Sequence, residues 1–158
     1  MKFEKFLKSV GTHGEVIERT ESEKWLVCGG VGMVIPKGVD NLLGTACKSD
    51  YASIVDVIAK ADYDEPLVLE DAILFDPAGK AADIVRVFKS DLDTSIGIYN
   101  ADYGLLEKKD YLSYFEIDID VDENGVKLSE DEVKTVKYML VFNPAGEVVG
   151  YITGSQRV

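Results

Sequence analysis

Histidine and cysteine are nearly missing from this chain, with one histidine and two cysteines in 158 residues. A single histidine, His13, excludes catalytic schemes that need two imidazoles. It sits in Gly11-Thr12-His13-Gly14, a stretch that reads as a loop after a helix, with no motif for a Cys–His or Ser–His dyad. Cys28 and Cys47 form no CxxC pair, so they cannot build a disulfide framework or a four-thiolate zinc site. They read as buried free thiols in a reducing compartment. Long apolar runs are missing too. Residues 1–14 carry lysines but no apolar run of signal-peptide length, and Val31 to Ile35 and Tyr138 to Phe142 are far too short to cross a bilayer. These absences predict a soluble, cytoplasmic protein with no membrane partner.

Positive charge is scarce, with 17 Lys+Arg against 29 Asp+Glu and a formal charge of −12. That excess argues against a generic basic nucleic-acid binder, although total charge is silent on local patches. The distribution is uneven. Residues 1–50 hold seven basic and seven acidic side chains, whereas residues 51–158 hold ten basic and 22 acidic ones. What is plentiful is hydrophobic residues, at 46%, in a length that suits one domain burying about 70% of its unfolded surface.

Phe3, Phe6, Leu7 and Val10 recur at helical spacing beside Lys2, Lys5 and Lys8, and Gly11 stops the segment, so a helix is expected over 2–10. Strands are expected over 15–20, 24–28 and 31–36, with Gly29-Gly30 as a two-residue hairpin turn. Ser49 reads as the N-cap of a helix over 50–61 with Tyr51, Ile54, Val55 and Ile58 on its apolar face. A strand is expected over 66–75. Asp76-Pro77 then predicts a helix over 77–89. Further strands follow over 94–100, 103–107, 111–121, 133–142 and 147–152, the last two joined at Asn143-Pro144-Ala145-Gly146 by a type I turn with a bulge. The fold class expected is one α+β domain with antiparallel sheets and two or three helices.

Phe3 to Ser9 aligns without gaps on Ile84 to Ser90: Lys8/Lys89 and Ser9/Ser90 are identical, Lys5/Arg86 keeps its charge, and three apolar positions stay apolar. This suggests structural repeats over 1–36 and 66–121, with 37–63 as an insertion. The element order of such a unit, strand, helix and three strands, resembles the building block of the sliding-clamp (processivity-clamp) family. The resemblance implies helices turned towards DNA phosphates within an acidic body, placing Lys2, Lys5, Lys8, Lys80, Arg86 and Lys89 on the DNA-facing side. A ring built from one such domain would need several copies, so it also implies a homo-oligomer. In size, composition and lack of catalytic motifs the chain resembles small phage- and prophage-encoded proteins.

Asp120, Asp122, Asn124 and Asp131, with Gly125, match much of a calcium loop. Lys127 and Leu128 do not fit it, and position 12 is Asp where a bidentate Glu belongs. Phe115, Ile117, Ile119 and Val121 alternate with Glu116, Asp118 and Asp120, which is a strand pattern, so an acidic hairpin is the competing reading. Gly29-Gly30-Val31-Gly32 lacks the Gly-Lys-Ser/Thr ending of a phosphate loop. Trp25 and most of the eight tyrosines fall at strand positions where aromatics pack. No nucleophile, base or metal set emerges, so a non-enzymatic protein needing no cofactor is expected. Two partners fit: DNA or DNA-metabolism proteins through the basic flanks, or a basic protein engaged by an acidic interaction module or DNA mimic.

Overall fold

In a computed structural model the described residues are 1–39, 52–74, 84–122 and 124–156. Helix α1 (Phe3–Val10) buries Phe6 and Val10 and ends at Gly11, whose φ of 57° lets its N–H turn back to the Leu7 carbonyl, at 3.3 Å. Strands β1 (Glu15–Glu18), β2 (Lys24–Cys28) and β3 (Val31–Val34) form a meander, and Gly29 (φ 58°) makes the β2–β3 turn. Helix α2 (Ala52–Ala59) buries Val55 and Ile58, while Ser49 and Tyr51 lie outside the described residues. Then come β4 (Leu67–Leu74), β5 (Ile84–Ser90), β6 (Ser95–Tyr99), α3 (Asn100–Tyr103), β7 (Tyr111–Ile119), a 3-10 turn at Glu130–Glu132, β8 (Lys134–Phe142) and β9 (Val148–Thr153).

The chain folds as one α+β domain with two antiparallel sheets, one of six strands in the order β1-β2-β3-β9-β8-β7 and one of three in the order β4-β5-β6. Strand side chains alternate between faces, so the six-stranded sheet can be covered twice. Leu26, Met33, Met139 and Ile152 face Phe88, Ile96 and Ile98 of the small sheet together with α1. Trp25, Tyr138, Leu140 and Tyr151 face α2 on the other side. The order is therefore small sheet with α1, large sheet, then α2. No helix among the described residues is long and apolar enough to cross a membrane.

Two expected elements are corrected. Residues 84–89, expected as the end of a helix, are strand β5; the preceding 77–83, with the Asp76-Pro77 signal, lie outside the described residues. The matched segments Phe3 to Ser9 and Ile84 to Ser90 are therefore a helix and a strand. The reason is burial on both faces. β5 is the middle strand of its sheet, with Val85 on one face and Phe88 on the other, both no more than 2% exposed. A strand buried on both sides loses its apolar alternation, and its apolar pairs at 84–85 and 87–88 then mimic helical spacing. The strand expected over 103–107 is instead the end of α3 and a turn, in which Leu105 N–H and Leu106 N–H donate to Asp102 and Tyr103 carbonyls at 3.0 and 3.1 Å.

Candidate interaction surfaces

The basic candidates divide by what holds them. Lys2, just before α1, and Lys5 and Lys8 on it are exposed. Lys5 Nζ donates to the Gly104 carbonyl at 3.1 Å. On β5, half-buried Arg86 donates through Nε to Asn100 Oδ1 at 3.1 Å, and its guanidinium carbon lies 4.8 Å from the centre of the Tyr103 ring. Lys89 Nζ is 3.2 Å from Glu70 Oε2 on β4. The short helix α3 thus gathers Lys5 at one end and Arg86 at the other. Lys80 lies outside the described residues.

Between α1, α3 and the β2–β3 turn runs a cleft of about 700 Å³, with Phe6, Val10, Val31 and Leu105 among its apolar lining and Lys5, Cys28 and Asp102 among its polar groups. Burial pushes the Asp102 carboxyl above the ordinary aspartate range. A carboxyl raised in the folded state destabilises that state once it ionises, so stability falls as pH climbs from the unfolded value through the folded one. Asp102→Asn should therefore raise the thermal midpoint at neutral pH. The gain should disappear below the ordinary aspartate range, where both states are protonated; thermal melts at a series of pH values check this.

The acidic side is built differently. β7 is an edge strand, and its early part is covered: Tyr114 N–H donates to the Glu65 carbonyl at 2.8 Å, and Pro66 bridges to Ser113. Beside this junction lies a second cleft, of about 410 Å³, lined by Asp62, Asp64, Glu65 and Glu116 with Lys60 as its cation. Glu65 accepts hydrogen bonds from the hydroxyls of Ser90, at 2.7 Å, and Thr94. Tyr114 Oη donates to Glu116 Oε2 at 2.8 Å; burial first, and this bond second, push the phenol far above its ordinary value. Asp118 accepts from Thr135 Oγ1 at 2.6 Å. Among the described residues Glu116, Asp118, Asp120, Asp122 and Glu130 to Glu132 form no ion pair.

The calcium-loop candidates lie at the tip of the β7–β8 connection. Asp122 Oδ1 is occupied by the backbone N–H groups of Asn124 (2.8 Å) and Val126 (2.9 Å), while Val121 bridges to Lys127 and Gly125 takes φ 78°. Asp120 accepts from the Leu128 N–H through its carbonyl, and Asp131 belongs to the 3-10 turn. This is hairpin geometry. Among the described residues no group of three or more His, Cys, Asp or Glu is arranged to hold a metal ion.

No protein-family model matches the chain, and neither a curated protein nor a solved structure matches it. The sequence reading did not single out Asp62, Asp64 and Glu65. The signal for them is weak, because a carboxylate run before a proline looks like any solvated loop. Glu116 and Asp118 were visible as the polar half of a strand, but nothing local shows that the strand is an edge.

Proposed function

We propose that this protein is a non-enzymatic interaction module whose acidic side engages a basic partner protein. The observation that supports this most directly is the contrast in pairing. Lys5, Arg86 and Lys89 have partners within the chain, whereas the described carboxylates of β7 and of the connection to β8 are exposed and meet no cation: Glu116 and Asp118 each accept only a hydroxyl hydrogen bond, and none of the group forms an ion pair among the described residues. A solvated carboxylate row raises the encounter rate with a cationic surface and disfavours nucleic acid.

The test compares polylysine with a short DNA duplex across a salt series. Polylysine should bind and weaken steeply as salt rises, because exposed charges separated by more than the Debye length of about 10 Å at 0.1 M are screened. Neutralising Glu116 and Asp118 to Gln and Asn should weaken binding at least ~3-fold more than neutralising Glu18 and Glu21, a charge-matched pair at the opposite edge of the sheet. Equal effects of the two pairs would mean that net charge alone attracts the polycation. DNA binding abolished by Lys2→Ala and Lys8→Ala would replace this reading with the nucleic-acid one.

A further inference from the structure

The acidic surface coincides with an unfinished sheet edge. In an antiparallel ladder the N–H and C=O of one residue point to the same neighbour, and successive residues alternate sides. Tyr114 N–H points away from β8, to Glu65. The register Tyr114↔Met139, Glu116↔Lys137, Asp118↔Thr135 runs without a shift, so the backbone groups of Glu116 and Asp118 point outward as well. Neither residue has a backbone partner on that side among the described residues. The window is closed at both ends: residues 65–66 occupy the edge at Ser113 and Tyr114, and Leu128 N–H takes the Asp120 carbonyl.

We propose that this window of β7 accepts a basic segment of a partner protein as an added strand, with cationic and apolar residues alternating in it. The proposal rests on the acidic-module reading and specifies its mode. A strand laid beside Glu116 and Asp118 puts the Cβ of every second residue about 5 Å from the Cβ of those residues, the spacing at which opposite charges on neighbouring strands pair. The intervening side chains fall on the face of Phe115, Ile117 and Ile119; the first two pack with the α2 cluster and Ile119 is 40% exposed. The cleft with Asp62, Asp64 and Glu65 lies at the Tyr114 end of the window and takes a further cation. Charge also decides against a second copy of this chain as the occupant. Edge-to-edge pairing of two β7 strands would set carboxylates against carboxylates, the device by which sheet edges resist self-association.

The experiment uses a fluorescent peptide alternating lysine with valine, and the same peptide N-methylated at every residue. Methylation keeps the charge and removes every backbone donor. The unmethylated peptide should bind, the methylated one at least ~10-fold more weakly, and amide exchange at Glu116 and Asp118 should slow on binding. Asp118→Pro removes the carboxylate, as Asp118→Asn does, and in addition an outward N–H that an edge strand can spare, so it should weaken binding well beyond Asp118→Asn. Equal binding of the two peptides with polylysine binding intact would overturn strand addition and leave the acidic module standing. So would polylysine binding without binding of the alternating peptide. If neither polylysine nor peptide bound at low salt, both readings would fail.

Discussion

Trp25→Ala is expected to cost about 4 kcal/mol of folding stability and to lower the thermal midpoint by about 10 °C. The indole is fully buried on the face of the large sheet that meets α2, among Val55, Ile58 and Tyr151. Truncation leaves a void between a rigid sheet and a two-turn helix that can close on it only partly. The indole has a polar role as well. Its Nε1 donates at 3.0 Å to Glu23 Oε2, the same oxygen that pairs with Arg19. Burial alone would raise the Glu23 carboxyl, but the hydrogen bonds from Arg19 and Trp25 outweigh it and hold the group below the ordinary glutamate range. A lowered folded-state value contributes stability that is present above the unfolded value and lost as pH falls through the folded one. Trp25→Phe keeps part of the packing but loses the donor and the contacts of the larger ring, so it should cost about 2 kcal/mol at neutral pH, less in acid. Urea unfolding followed by far-UV circular dichroism separates the two variants. A loss under about 1 kcal/mol for Trp25→Ala would contradict the packing of α2 on this sheet.

Gly32→Val should cost about 3 kcal/mol, the upper end of the range for overpacking a tight core. The reason is space, since Gly32 is not among the residues of positive φ. Trp25 on β2 and Tyr151 on β9 are separated by β3, yet their ring centres are 6.2 Å apart. The Tyr151 ring can lie down over β3 because its cross-strand partner there is Gly32. A Cβ there would lie 2.8 Å from Tyr151 Cζ, closer than carbon atoms can pack. Tyr151 in turn meets Tyr138 edge-on at 5.7 Å, so moving its ring disturbs an aromatic row across β2, β9 and β8. Gly32→Ala combined with Tyr151→Leu should be less destabilising than the sum of the single changes, because the smaller side chain removes the clash. Strict additivity in a double-mutant cycle would show that the ring does not occupy this space.

Much of the strand layout was legible because its signals are local. Gly11 ends the first helix, Gly29-Gly30 turns β2 into β3, and Gly146 with φ 83° makes the turn from β8 to β9, with a register shift at Val141/Phe142. The two misread elements share one cause. The double burial of β5 and the turn after Tyr103 both depend on what packs alongside, which a window of a few residues does not contain.

The amino-acid order alone determined an α+β chain with a basic-flanked first helix and all of its net negative charge after residue 50. It also placed Glu116, Asp118 and Asp120 on one side of a strand, since alternation is built into the backbone. Only the tertiary structure decided that Lys5, Arg86 and Lys89 have partners within the chain and that β7 is the last strand of the sheet among the described residues. Strand position depends on which partners pair across the sheet, here β3 with β9 over more than a hundred residues of chain. That long-range choice turns a solvated row of carboxylates into the rim of an open edge.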